Sequence, residues 1–204
     1  MKSKAFIISL SLIVLVGLVT SCSEAPQTLI DETKAAFDAA NQAEVNRYLP
    51  ELYNEAQSKM DSAMTEIESQ NSKFSLMRSY SKATALLQSA SETAGKSVEA
   101  VALRKQEIQK ETETLFQDLD NSMKESGILI SKAPKGKEGR AALESIQNEL
   151  KIVETVVNEA KSAQNGNDFL TARDKARAAL DKVNSLNAEL QTAIAKKMAL
   201  QGKR

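Results

Sequence analysis

One long segment without helix-breaking residues constrains the fold of this chain more than any other feature. From Leu76 to Glu125 there is no proline and a single glycine, Gly95, which costs a helix about 1 kcal/mol. Small or apolar side chains recur there at alternating spacings of four and three, which places them on one helix face. The main members of this seam are Leu76, Tyr80, Thr84, Leu87, Ser91, Ala94, Val98, Val101, Ile108, Thr112, Leu115 and Leu119. The pattern predicts one helix of about 45 residues, close to 70 Å long at 1.5 Å per residue.

Helical spacing also occurs on both sides of this segment. A first helix is predicted from about Thr28 to Ala43, and Asn41 and Asn46 leave open whether the chain then breaks or kinks. Pro50 suits the first turn of a second helix, because its missing N–H would have no partner there. That helix is predicted to end within residues 69–74, where turn-forming residues cluster.

The C-terminal part repeats the arrangement of two helices around a turn. The sequence QNGND, residues 164–168, predicts a tight turn, and Asn167 or Asp168 is expected to cap the helix that follows. We therefore predict an all-α fold: an elongated antiparallel bundle of two helical hairpins with one long helix, coiled-coil-like in part. The predicted divisions are a signal peptide (1–21), a tether (22–28), an N-terminal hairpin region (29–125), a loop (126–140) and a C-terminal hairpin (141–200).

The first 21 residues have the composition of a secretory signal peptide. Lys2 and Lys4 precede an uncharged apolar run that ends in small residues. This run is about 15 residues long, short of the roughly 20 that span a bilayer. A retained membrane anchor is therefore the less favoured interpretation.

The only cysteine, Cys22, follows directly. The sequence VTSC at residues 19–22 resembles the lipobox of bacterial lipoproteins, in which the cysteine sulfur is acylated and becomes the new N-terminus. Two or more acyl chains give a stable anchor, whereas one is marginal. The alternative is an ordinary secretory signal that leaves a free thiol. In enteric bacteria, an aspartate after the acylated cysteine favours retention in the inner membrane. This chain has Ser23 at that position, so we expect the outer membrane. The expected location is the bacterial envelope, facing the periplasm.

Composition argues against several functional classes. The chain has 27 basic and 27 acidic residues, no histidine and no tryptophan, and only 4% aromatic residues. Mixed, balanced charge does not suggest a nucleic-acid surface. The commonest general base and metal ligand is missing, and few aromatic side chains are available to line a pocket. We therefore expect no enzymatic activity, no cofactor and no metal ion.

The predicted loop 126–140, SGILISKAPKGKEGR, carries the one concentration of positive charge that suggests a contact. It contains three glycines and four basic residues: Lys132, Lys135, Lys137 and Arg140. These residues are candidates for contact with a partner or with an anionic polymer such as peptidoglycan. The spacing does not fit a phosphate-binding P-loop. The alternative interpretation is a flexible surface loop.

The two halves of the chain resemble each other. LYNEA at 52–56 is similar to IQNEL at 146–150, SQN at 69–71 to AQN at 163–165, and KATALL at 82–87 to KARAAL at 175–180. The segments are separated by 93 or 94 positions in each case. Such a fixed offset predicts a duplicated helical hairpin.

Residues 48–90 also resemble a family of uncharacterised bacterial envelope lipoproteins. The family shows a Tyr-Ala-Pro-Glu-Leu motif, an alanine-rich helix, and Arg-x-Tyr-x-x-Ala before a second alanine-rich helix. The matching residues are Tyr48, Pro50, Glu51, Leu52, Ala56, Arg78, Tyr80 and Ala83, whereas Leu49 replaces the usual alanine. The resemblance implies a helical hairpin in a periplasmic lipoprotein and supplies no catalytic residues.

These observations predict a lipid-anchored periplasmic scaffold or adaptor. Its partners would be the membrane through Cys22, and a protein or a second copy of the chain through exposed helix faces. The alternative is a module that binds or tethers peptidoglycan.

Overall fold

The computed structural model describes residues 24–201, without the side chains of residues 137, 138 and 201. All regular structure in this range is helical, which confirms the predicted all-α class. Six α-helices and one 3₁₀ turn follow in order. Their bounds are α1 Gln27–Gln42, α2 Val45–Tyr48, α3 Pro50–Asn71, the 3₁₀ turn Ser75–Met77, α4 Ser81–Lys132, α5 Lys137–Asn165 and α6 Phe169–Gln201.

The chain breaks after α1, which decides between the two alternatives left open for this region. Glu44 adopts a left-handed conformation with φ 66°, and the short helix α2 follows it. Pro50 occupies the first turn of α3, as predicted. Asp168 caps α6 as predicted, because its Oδ1 accepts a hydrogen bond from the Thr171 N–H at 3.2 Å.

The long helix α4 has 52 residues and is shifted towards the C-terminus relative to its prediction. Residues 76–80 are not part of it. Residues 126–132 are, so the predicted loop over 126–140 is wrong, and only residues 133–136 separate α4 from α5. The reason is tertiary: Ser126 is buried, and Leu129 and Ile130 pack against the core beside it. This packing offsets the helix cost of Gly127, which is about 1 kcal/mol.

The described chain forms two compact units, one ending at Leu103 and the other beginning at Arg104. The division falls within α4 and not in the predicted loop 126–140. Helix α4 therefore contributes its first part to unit 1 and the rest to unit 2. Each unit contains three long helical segments, one more than the two-helix hairpin that the repeated sequence segments suggested.

In unit 1, helices α1 and α4 run in the same direction and α3 runs antiparallel to both. One core cluster near the start of α1 joins Ile30, Ala63, Ile67, Tyr80, Ala83 and Leu87. A second cluster, further along α1, joins Phe37, Ala56, Ala90 and Ala94. Alanine supplies much of this core, which lets the helix axes approach closely.

Unit 2 has the same up-down-up order, formed by the second part of α4 together with α5 and α6. Its core is continuous and includes Leu150, Val183, Leu186 and Leu190. A buried polar contact joins α4 to α6, because the Ser126 Oγ donates to Asn187 Oδ1 at 2.6 Å. The Asn187 amide in turn donates to the Ser122 carbonyl at 3.0 Å. Paired polar groups of this kind fix the register of two helices, since a shift would leave them buried without partners.

The structure supports the predicted duplication with a repeated ion pair. In unit 1, Lys82 contacts Glu66 at 2.9 Å. In unit 2, Lys175 contacts Glu159 at 2.6 Å. Both residues of the second pair lie 93 positions after those of the first, which is one of the offsets found in the sequence. In each unit this pair joins the antiparallel helix to the helix that follows it.

The glycine inside α4 provides a first prediction. Gly95 is helical and exposed, and a Cβ built there meets nothing within 4 Å. Gly95→Ala should therefore stabilise unit 1 by about 1 kcal/mol through helix propensity alone. The reciprocal change Ala85→Gly, at an exposed position of the same helix, should destabilise it by a similar amount. Urea unfolding measures both, and changes of the same sign would contradict the prediction.

Candidate functional site

The predicted lipidation site, Cys22, lies outside the described residues, which begin at Glu24. The tether predicted over residues 22–28 is too long, because Gln27 and Thr28 belong to α1. The two residues before α1 are not free of the fold either. Ala25 packs against the cluster that contains Ile30 and Tyr80. Ala25, three residues after Cys22 in the sequence, is therefore part of the folded body of unit 1.

The basic residues predicted at positions 132–140 lie around the short connection between α4 and α5. Lys135 and Arg140 both line an open groove of about 650 Å³. Its other lining residues are Gly127, Ile130, Ser131, Leu143, Glu144, Gln147, Asn148 and Lys151. We call this surface the basic groove. Neither Lys135 nor Arg140 forms an ion pair with a described side chain, so both charges face solvent.

Only part of the predicted set comes together in this groove. Lys132 ends α4 and does not line it; its carbonyl accepts a hydrogen bond from Lys197 Nζ at 3.4 Å. Of Lys137 only the backbone is described. Sequence reasoning missed Lys151, although a signal existed. Positions 140, 144, 147 and 151 follow spacings of four, three and four, which places them on one face of α5.

Gly139, in the first turn of α5, makes a close backbone contact beside the basic groove. A Cβ built on Gly139 would lie 2.3 Å from the Pro134 carbonyl oxygen and 3.1 Å from its carbon. The first turn of α5 therefore packs directly on the α4–α5 connection, and only glycine fits at this position. The neighbouring Gly136 has nothing within 4 Å of a built Cβ.

This contact gives a second prediction. Gly139→Ala should destabilise unit 2 by about 1–3 kcal/mol, because the backbone must shift to admit the methyl group. An alanine inside a helix otherwise stabilises, so a net loss would identify the clash as its cause. Gly127→Ala is the control in the same unit, because Gly127 is an exposed glycine inside α4 with nothing within 4 Å of a built Cβ, and it should stabilise unit 2 by about 1 kcal/mol. Thermal unfolding of the two variants compares them, and equal midpoints would contradict the prediction.

The basic groove carries an excess of positive charge. Three cations, from Lys135, Arg140 and Lys151, share it with one carboxylate, from Glu144. Such an excess of exposed positive charge attracts anionic groups, and salt screens the attraction. Within residues 24–201, no group of three or more potential ligands is placed to hold a metal ion.

The side chains whose pKa is shifted belong to surface ion pairs. The hydrogen bond from Lys82 is the main reason that the pKa of Glu66 lies below its usual range, and the Gln70 amide adds to it. The hydrogen bond to Glu149 likewise raises the pKa of Lys182. Both pairs join neighbouring antiparallel helices, so their role is packing of the bundle.

The three tyrosines of the chain pack in or beside the core of unit 1. Tyr48 and Tyr80 are buried, and the half-buried Tyr53 packs edge-to-face on Phe37 with ring centroids 5.6 Å apart. The Tyr80 hydroxyl donates to Asn71 Oδ1 at 2.6 Å. Tyr80 thereby holds the end of α3 to the start of α4.

None of the helices within residues 24–201 is both long and apolar enough to cross a bilayer. In comparisons with known proteins, no family model matches this chain, and no curated protein or solved structure is detectably similar to it.

Proposed function

We propose that this chain is a lipid-anchored helical scaffold or adaptor of the bacterial envelope, held by acyl chains on Cys22. The observation that carries the proposal is the arrangement of the N-terminus. A basic start, an apolar run and small residues lead to the only cysteine, and Ala25, three residues later, packs against the core of unit 1. A thioether-linked diacylglycerol also accounts for a single thiol in an oxidising compartment, where disulfides are usual.

The test is metabolic labelling with a clickable palmitate analogue in a bacterial host. The chain without substitutions should incorporate the label, and its mass should show loss of residues 1–21. Cys22→Ala should abolish the label and retain those residues, because the acylated sulfur is required for processing. Ser21→Ala keeps a small side chain beside the cysteine and should label normally. An unmodified chain with a free thiol at position 22 would overturn the proposal.

The adaptor role rests on the exposed helix faces. Leu103 on α4 and Ile152 on α5 are large apolar side chains that remain mostly exposed, and such residues suit contacts with partner helices. A photo-reactive residue at position 103 in cells should capture one dominant protein. Adducts with lipid or glycan alone would exclude an adaptor role for this face.

A second candidate function, attachment to peptidoglycan, is favoured by the basic groove. Peptidoglycan carries carboxylates on its peptide stems, and the groove presents three cations against one carboxylate. The full chain should co-sediment with purified peptidoglycan in low salt. Glutamine at Lys135, Arg140 and Lys151 should abolish this, whereas the same change at three lysines outside the groove, Lys110, Lys124 and Lys196, should not. Equal loss in both variants would mean that only total charge matters.

A further inference from the structure

Three large apolar side chains stand out into solvent between α3 and α4. Leu76 is 88% exposed, Met77 74% and Phe74 70%. They lie within four consecutive residues, which we call the 74–77 loop. Single exposed apolar residues are ordinary, but a contiguous group of large ones marks a contact surface.

The loop is held in place by hydrogen bonds from both of its ends. The Arg78 guanidinium donates to the carbonyls of Asn71 and Lys73, each at 3.0 Å. The Gln70 side chain accepts from the Ser79 N–H at 3.0 Å. These bonds close the end of α3 onto the approach to α4. The apolar side chains are therefore presented by an ordered backbone, which lowers the entropy cost of binding.

The duplicated unit shows that such a connection can bury its apolar residues. The Glu66–Lys82 and Glu159–Lys175 pairs enclose segments of equal length, so the two connections correspond at an offset of 93. The residues that correspond to Leu76 and Met77 are Phe169 and Leu170. These lie in the first turn of α6 and are partly buried. Only the connection in unit 1 turns its apolar residues outwards.

The 74–77 loop lies at the end of unit 1 from which the chain leads to Cys22. Because α1 and α4 are parallel and α3 is antiparallel, the start of α1 lies beside the end of α3 and the start of α4. Residues 24–29 and 79–81 line one groove. The Cα of Cys22 is at most about 11 Å from that of Ala25, three residue steps away. Acyl chains on Cys22 would therefore bring a membrane surface to this end of unit 1.

We propose that the 74–77 loop inserts into the lipid leaflet that holds the acyl chains of Cys22. The proposal rests on the lipid anchor proposed above. Phenylalanine, leucine and methionine suit the boundary between headgroups and acyl chains, and the flanking cations of Lys73 and Arg78 suit lipid phosphates. The loop and the tether lie at the same end of unit 1. The acyl chains and the inserted loop would therefore together fix the direction of the helices of unit 1 relative to the bilayer. A tether alone would allow the unit to rotate.

The test places an environment-sensitive fluorophore on the loop. Acylated Cys22 has no free thiol, so Leu76→Cys provides the only labelling site in the full chain. Leu103→Cys is the matched control, because Leu103 is also exposed and lies 22 residues beyond the start of α4, about 33 Å along the helix. Both labelled proteins are purified with their lipid and reconstituted into vesicles of phosphatidylethanolamine and phosphatidylglycerol. Thermal unfolding checks that neither substitution alters the fold.

On vesicles, the emission of the probe at position 76 should shift to shorter wavelength. Lipids brominated on their acyl chains should quench most of this emission. The probe at position 103 should show neither change. A probe at 76 that remains in water on an acylated chain would overturn the loop insertion and leave the anchor intact. Mass spectrometry of the same samples separates the two proposals, because a chain without the acyl mass overturns both.

Discussion

Phe37→Ala is expected to cost unit 1 about 3–5 kcal/mol of stability, the usual range for loss of a buried phenylalanine. Phe37 is 6% exposed and packs against three alanines, Ala56, Ala90 and Ala94. Alanine side chains have no rotamers with which to fill the cavity. The variant also loses the edge-to-face contact with Tyr53, which lies at 89° to the Phe37 ring.

Amide hydrogen exchange can measure this loss within unit 1. Protection in α1 and α3 should fall in proportion to the lost free energy. Phe74→Ala is the matched control, because the same atoms are removed from an exposed ring in the same unit. Its stability should change by less than about 0.5 kcal/mol. Equal effects at positions 37 and 74 would mean that the second core cluster does not form as described.

Leu186→Ala should have the second large effect, a loss of about 2–5 kcal/mol from unit 2. Leu186 has no exposed surface and lies within the largest core cluster, beside Val183 and Leu190. Its neighbour Asn187 bonds across to α4. A cavity at position 186 therefore weakens the side of α6 that carries the register contact with Ser126.

Leu200→Ala on the same helix is the control for this substitution. Leu200 is exposed and lies at the end of α6, so the exchange removes no core contact. Urea unfolding followed by circular dichroism should show a lower midpoint for the variant at 186 and little change at 200. A variant at 186 with an unchanged midpoint would contradict the described packing of α4, α5 and α6.

The sequence pattern was sufficient to predict that most of the described chain is helical, because spacings of three and four have no other regular explanation. The ends of α4 were harder to predict. Ser126 and Gly127 are residues typical of a turn, but Ser126 is hydrogen-bonded to Asn187, 61 positions later. At the other end, Leu76 fits the apolar seam by spacing alone. The Arg78 contacts with the end of α3 keep it out of the helix, and local periodicity contains no information about such contacts.

The candidate site was predicted in part for the same reason. Lys135 and Arg140 are close in sequence and also share the basic groove. Lys151 joins them only through the face of α5, and Lys132, although near in sequence, does not line the groove. The 74–77 loop was not recognised as a surface feature, because its apolar residues are those that a helical seam would also require.

The small side chains in the cores of both units also determine how stability responds to temperature. Within residues 24–201, eleven of the 28 buried apolar residues are alanines, and each hides little surface from water. Since exposure of apolar surface sets the heat capacity of unfolding, its value should lie below the usual 12–15 cal/mol/K per residue. A small heat capacity change gives a broad, flat stability curve. The free energy of unfolding should therefore vary less between cold and warm surroundings than in a protein of equal length with a leucine-filled core.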